Sequence, residues 1–119
     1  MGIIYREIKI GDKTVPMLAM ASVNVYYKRV FGEDPLIKQG GKEEMSAGEA
    51  IDLYIGMGFI MAKMAEGNRE QMKKLNEDQF LDWLESFDNA AMLEAVPEIS
   101  ALYNGQGVPN SEKKTEDDR

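Results

Sequence analysis

The feature that most constrains the fold is an apolar stretch in the middle of the chain, residues 51–64, in which only Asp52 and Lys63 are charged. Its apolar side chains recur at helical spacing and cover more than half of a helix circumference. Ser46 and Glu49 precede it with the spacing of a capping box, and Gly67 follows it. The sequence therefore predicts a helix over residues 46–67 at the centre of the domain. The stretch is shorter than the roughly 20 apolar residues that span a bilayer.

Two glycines and one phenylalanine stand out within this predicted helix. Gly56 and Gly58 each cost about 1 kcal/mol of helix stability relative to Ala, so we expect a close backbone approach by another element there. Phe59 lies between the directions of Asp52 and Lys63 on a helical wheel, so we expect it on the solvent side. Either a partner protein or another helix of the same chain would cover Phe59, and the sequence favours neither alternative.

Three of the nine methionines form a stripe on the same predicted helix: Met57, Met61 and Met64. Thioether side chains suit surfaces that adapt to different partners, so the stripe fits a groove that accepts another chain, although ordinary core packing is the more common use. Together with Phe59, these methionines are the candidate partner-binding residues.

The N-terminal part of the chain predicts a small hairpin and a helix. Ile3, Ile4, Ile8 and Ile10 are β-branched, the Gly11-Asp12 pair is a turn signal, and residues 13–15 supply a return strand. Thr14 and Pro16 then stand as N-cap and first-turn residues of a helix over residues 16–31, which ends at Gly32. A loop over residues 32–45 follows.

The C-terminal part predicts further helices and a tail. Asn76 and Gln79 have capping spacing before a short helix that ends near Phe87, and a last helix over residues 90–103 is interrupted at Pro97. Residues 105–119 lack a hydrophobic pattern and predict a disordered charged tail. The predicted fold is mainly α (α+β): a small N-terminal β-hairpin followed by four or five helices around the central one, in a single domain over residues 1–104.

Composition excludes several chemistries. The 119 residues contain no Cys and no His, which rules out disulfides, Cys-His and Ser-His-Asp nucleophiles, and thiolate or imidazole zinc sites. The net charge of −7 argues against nucleic-acid binding. Seven acidic and no basic residues lie within residues 76–111, so the acidity belongs to one region.

Asp78, Asp82 and Glu85 are the nearest approach to a carboxylate cluster, because spacings of four and three bring side chains together on a helix. Their helix carries its aromatic residues on the opposite face, so a solvated acidic surface is the simpler interpretation. The sequence assigns no catalytic, metal-binding or cofactor-binding residue, and a carboxylate-based metal enzyme is the weakest of the functional alternatives.

The order of these features resembles the tail assembly chaperones of long-tailed (siphovirus-type) phages and prophages. The resemblance is carried by Asn-Val-Tyr-Tyr-Lys-Arg-Val-Phe-Gly-Glu-Asp-Pro-Leu at residues 24–36, by the apolar central helix, and by Phe-Leu-Asp-Trp-Leu-Glu-Ser-Phe at residues 80–87. It covers residues 1–104. It implies a helical protein without catalytic residues that binds the tape measure protein and helps recruit the major tail (tube) protein.

Further expectations accompany the resemblance. The protein would act in the host bacterial cytoplasm, be absent from the mature virion, and bind neither nucleic acid nor membrane. In many members a ribosomal frameshift adds a second domain, and Glu-Lys-Lys at residues 112–114 fits an A-rich slippery site. The wide apolar arc of the central helix also makes self-association plausible. The alternative is a small acidic adaptor or regulatory module of bacterial or phage origin.

Overall fold

The computed structural model describes residues 4–33 and 46–105, and the described residues form a two-stranded antiparallel hairpin followed by five helices. The strands are β1 (Ile4–Ile10) and β2 (Lys13–Ala19), and the helices are α1 (Ser22–Phe31), α2 (Ala47–Ala65), α3 (Arg69–Lys73), α4 (Glu77–Glu85) and α5 (Asn89–Tyr103). The predicted mainly α (α+β) fold is confirmed. Most of the predicted loop over residues 32–45, and the predicted tail after Gly105, lie outside the described residues.

The hairpin turns at Gly11-Asp12, as predicted, and Ile10 pairs with Lys13 on either side of the turn. Side chains alternate between the two faces of the hairpin because successive residues of a strand point to opposite sides. The inward-facing residues Ile8, Ile10, Met17 and Ala19 are buried in the core. One face of the hairpin is therefore a wall of the domain core.

The second strand is longer than the sequence predicted. It extends to Ala19, so the helix predicted over residues 16–31 begins only at Ser22, and the assignment of Thr14 as N-cap and Pro16 as first-turn residue is wrong. Pro16 pairs with Glu7. Counting from the turn, this is a pair that exchanges no backbone hydrogen bonds, so the missing N–H of Pro16 costs the hairpin nothing. The end of α1 at Gly32 is as predicted, with φ of 75° at that residue.

Helix α2 is the centre of the molecule. Ten of its residues are buried, and it packs against β2, α1 and α5 as well as α3 and α4. The predicted capping box is present: the Glu49 amide donates to Ser46 Oγ at 3.2 Å, and the Ser46 amide donates to Glu49 Oε1 at 3.0 Å. No helix of the described residues combines the length and the hydropathy needed to cross a membrane.

Gly56 and Gly58 of α2 mark close approaches, but the approaching atoms belong to side chains, whereas the sequence predicts the backbone of another element there. A Cβ atom at Gly56 would lie 2.9 Å from Cε2 of Tyr27 on α1. A Cβ atom at Gly58 would lie 3.1 Å from Cδ1 of Ile99 on α5. Helices α1 and α5 therefore pack closely against α2 here: a methyl group at Gly56 would force the Tyr27 ring to shift, and one at Gly58 would press on the side chain of Ile99.

The C-terminal helices follow the predicted caps with two differences. Asn76 and Gln79 form the capping box of α4, with amide-to-side-chain distances of 2.9 and 3.0 Å. Helix α3 was not predicted; it begins at the N-cap Asn68 and is only five residues long. The interruption predicted at Pro97 is absent, because α5 is continuous through it. Pro97 and Leu93 are exposed, so water can bond the Leu93 carbonyl that lacks its helical N–H partner.

Candidate functional site

The four residues predicted to bind a partner are largely internal. Met57, Phe59 and Met61 are fully buried, and Met64 is 8% exposed. Phe59 is therefore not exposed to solvent, and of the two covers that the sequence left open, a helix of the same chain is the one observed. Met64 is the member of this set that lines a groove formed by the described residues.

Phe59 is covered by the aromatic face of α4. The ring centroids of Phe80 and Trp83 lie 5.4 and 5.7 Å from that of Phe59, and Lys63 Nζ lies 6.0 Å from the same ring. Wheel geometry placed Phe59 between Asp52 and Lys63, and α4 is the helix of the same chain that covers this side. The apolar face predicted for α4 and the ring of Phe59 are thus the two halves of one contact.

Met64 lines a groove that we call the methionine groove, with a volume of about 250 Å³. Its apolar lining is formed by Leu18, Met20, Tyr26, Met64 and Met72, and its polar lining by Ser22, Gly67, Asn68 and Arg69. Met64 and Met72 are buried at its floor, whereas Leu18, Met20 and Tyr26 are half-buried. The unbranched thioether side chains of Met20, Met64 and Met72 thus line the same groove.

Four elements position this groove: the end of β2, the start of α1, and the junction of α2 with α3. The Val23 amide donates to the Met20 carbonyl at 3.0 Å, which fixes the passage from strand to helix. The Gln71 amide donates to Asn68 Oδ1 at 3.0 Å, and Gly67 has a φ of 75°. Local hydrogen bonds hold the backbone around the groove in place, whereas the methionine side chains can still rotate about several bonds and adapt to different shapes.

A second concavity, which we call the acidic cleft, lies between α1, α2 and α4 and has a volume of about 340 Å³. Its lining includes Tyr27, Phe31, Glu33, Asp52, Glu77 and Phe80. Burial, followed by the charges of Glu33 and Asp52, raises the pKa of Tyr27 to about 12. The phenol of Tyr27 is therefore protonated at neutral pH.

The carboxylates that the sequence singled out, Asp78, Asp82 and Glu85, are exposed on α4. Within residues 4–33 and 46–105, no three His, Cys, Asp or Glu side chains are placed to hold a metal ion together. The acidic surface of α4 is thus turned to solvent, and its aromatic side is turned to α2.

No family model matches the chain, and no curated protein or solved structure matches it. The resemblance to tail assembly chaperones remains a prediction. Sequence reasoning found one member of the methionine groove, Met64, and missed Met20 and Met72. Met20 precedes α1, and Met72 lies on α3 although it is only eight positions after Met64, so the three methionines share no single helical pattern.

Proposed function

We propose that this protein is a non-enzymatic phage tail assembly chaperone, which binds the tape measure protein, keeps it soluble and helps recruit the tail tube subunit. It would do so in the host bacterial cytoplasm and stay outside the mature virion. The observation that carries the proposal is the methionine groove. The resemblance of residues 24–36 and 80–87 to that family supports the choice of partner.

The chemistry of the groove suits a chaperone. A chaperone holds apolar segments of its client reversibly and tolerates variation among them, and methionine side chains adapt to differently shaped apolar partners. An apolar groove on a helical domain is a common receptor for the apolar face of an amphipathic helix. Met20 and Tyr26 are half-buried at its sides, so a client helix would cover them on binding.

The mechanism follows from this arrangement. A client segment would bury its apolar side chains against the methionine floor, which hides them from other client copies and prevents their aggregation. Exposed Asn68 and Arg69 at the edge of the groove supply polar contacts to the client backbone or side chains. Release needs no chemical step, because displacement by a tail tube subunit or by another client segment ends the contact.

Co-expression tests the proposal. The protein is produced together with a candidate client, chosen as a long helical protein from a neighbouring gene, and the soluble fraction of that protein is measured. We expect a severalfold gain in solubility with the wild-type chain and a loss of that gain with Met20→Glu, which puts a charge into the groove. Leu93→Glu is the matched control, because Leu93 is 42% exposed on α5 and does not line the groove.

The result separates the two leading functions. If Met20→Glu abolishes the gain and Leu93→Glu keeps it, the chaperone function is supported. If the wild-type chain leaves the solubility of the neighbouring protein unchanged, the chaperone proposal fails and the acidic adaptor module becomes the better interpretation.

A further inference from the structure

The acidic cleft combines three features that favour a positive charge. Asp52 and Glu77 bring exposed carboxylates to its rim, and the rings of Phe31 and Phe80 form an aromatic wall with a centroid separation of 5.0 Å. Aromatic faces attract ammonium and guanidinium groups. The C-terminal end of α1, which carries a partial negative charge, also lies at this cleft because Phe31 is its last residue.

The side chain of Tyr27 provides an independent indication that the cleft takes a ligand. Tyr27 is only 4% exposed and lines the cleft, yet its hydroxyl makes no hydrogen bond with any residue of the described part of the chain. Its ring is held in place by Phe31, whose centroid lies 4.6 Å away, and by the close approach to Gly56. A buried hydroxyl without a partner is costly, so a ligand that supplies a hydrogen bond would stabilise it.

The charges in and around the cleft define the ligand. Among the described residues, none that lines the cleft is basic, and Glu33, Asp52 and Glu77 are all acidic. A phenol oxygen accepts a hydrogen bond from an ammonium or guanidinium group, and the carboxylates neutralise the charge. The volume of about 340 Å³ is at the small end of ligand pockets, which fits one or two side chains better than a large cofactor.

We propose that the acidic cleft receives a lysine or arginine side chain of the client segment, with Tyr27 Oη accepting its hydrogen bond and Asp52 pairing with its charge. The proposal rests on the proposed chaperone function and specifies the client: an amphipathic helix with a basic residue among apolar residues. The apolar neighbours of the basic residue pack on Phe31 and Phe80. The acidic cleft thus favours a positively charged side chain of the client, whereas the methionine groove has no such preference for charge.

A pair of capped peptides tests this proposal. The probes are acetyl-Ala-Leu-Lys-Leu-Ala-amide and the same peptide with norleucine in place of lysine, titrated into the ¹⁵N-labelled full chain and followed by NMR. We expect the lysine peptide to shift the amide signals of Phe31, Asp52 and Phe80. The norleucine peptide should bind about tenfold more weakly.

Three variants assign the interaction to atoms. Tyr27→Phe keeps the ring and removes the hydroxyl, and Asp52→Asn removes the charge, so each should weaken binding of the lysine peptide by about three- to tenfold. Glu85→Gln is the charge control, because Glu85 is exposed on α4 and does not line the cleft. Thermal unfolding followed by circular dichroism shows that each variant is folded before it is titrated.

The outcomes distinguish this proposal from the proposed function. Equal binding of both peptides, or unchanged binding by Tyr27→Phe and Asp52→Asn, overturns the cation site even if the client complex forms. Lysine-dependent binding that requires Tyr27, without any complex with the tape measure protein, supports the site and overturns the chaperone function. A dimer that dissociates on Asp52→Asn would place a side chain of a second copy in the cleft and overturn the assignment to a client.

Discussion

Cε2 of Tyr27 lies 2.9 Å from the position that a Cβ atom would take at Gly56, so α1 packs against α2 with no room for a methyl group. The contact belongs to a wall of aromatic residues, because Tyr27 stacks beside Phe31 and Phe31 meets Phe80 edge to face. The glycine in the middle of the most apolar helix thus fixes the position of the side chain that lines the acidic cleft.

Replacement of Gly56 by Ala tests this packing. The extra methyl group must displace a buried ring, which typically costs about 1–3 kcal/mol and exceeds the gain of about 1 kcal/mol in helix propensity. We expect a net decrease of up to about 2 kcal/mol in the free energy of unfolding, measured by urea denaturation. Gly48→Ala in the first turn of the same helix is the control. No atom lies within 4 Å of its Cβ position, so this variant should gain roughly 0.5–1 kcal/mol. Equal effects of the two substitutions would contradict the close contact.

Phe59 provides a test of the α2–α4 contact. Its ring is fully buried beneath Phe80 and Trp83, so Phe59→Ala should reduce the free energy of unfolding by about 3–5 kcal/mol. Leu81→Ala on α4 is the control, since Leu81 is 49% exposed and should change stability by no more than about 0.5 kcal/mol. A small effect of Phe59→Ala, comparable to that of Leu81→Ala, would indicate that Phe59 is exposed to solvent and would contradict the contact between α2 and α4.

The capping box of α4 makes a local prediction. Asn76→Ala removes the acceptor for the Gln79 amide, which lies 2.9 Å from Asn76 Oδ1, and should cost about 1 kcal/mol of stability. Asn76→Ser restores an N-cap acceptor and should recover most of that loss. Thermal unfolding of the three proteins measures the difference; a Ser variant no better than Ala would show that the cap does not stabilise this helix.

Tyr27 gives the protein a dependence on alkaline pH. Its pKa is raised from 10.0 to about 12 on folding, chiefly by burial and then by Glu33 and Asp52. The folded state therefore favours the protonated phenol: its contribution to stability is fully present below pH 10 and is lost as the pH rises through about 12.

Spectrophotometric titration at alkaline pH measures this effect. The difference between the titration curves of the wild type and Tyr27→Phe should show one tyrosine that ionises near pH 12. The wild type should also lose stability more steeply than the variant between pH 10 and 12. Identical pH profiles of the two proteins would indicate that the Tyr27 hydroxyl is in contact with water. This result would contradict a buried hydroxyl that lacks a hydrogen-bond partner among the described residues.

The sequence predicts those parts of the fold in which the two interacting residues are close to each other along the chain. The capping boxes of Ser46 with Glu49 and of Asn76 with Gln79 are correct because each needs only three residues of helix. The predicted end of β2 and start of α1 are wrong because the conformation of Pro16 depends on its pairing with Glu7, nine positions earlier in the chain. Local capping rules cannot weigh that pairing against a helix start.

The same distinction applies to the candidate sites. The helical wheel identifies Met64, which reaches the methionine groove, but Met20 and Met72 join it only through the packing of β2, α1 and α3 around α2. The acidic cleft was not predicted at all, since Tyr27, Asp52 and Phe80 come from three helices. The burial of Phe59, and the lack of a hydrogen-bond partner for the Tyr27 hydroxyl among the described residues, both depend on which helix packs over which face.

The most direct test of the proposed chaperone function is gel filtration of the purified protein mixed with the tape measure protein proposed as its client. We expect a complex of defined stoichiometry for the wild type and for the surface control Leu93→Glu, and at least about a tenfold loss of affinity for the groove variant Met20→Glu. Separate elution of the two wild-type proteins, or a complex that Met20→Glu leaves unchanged, would contradict the central claim that the methionine groove holds the tape measure protein.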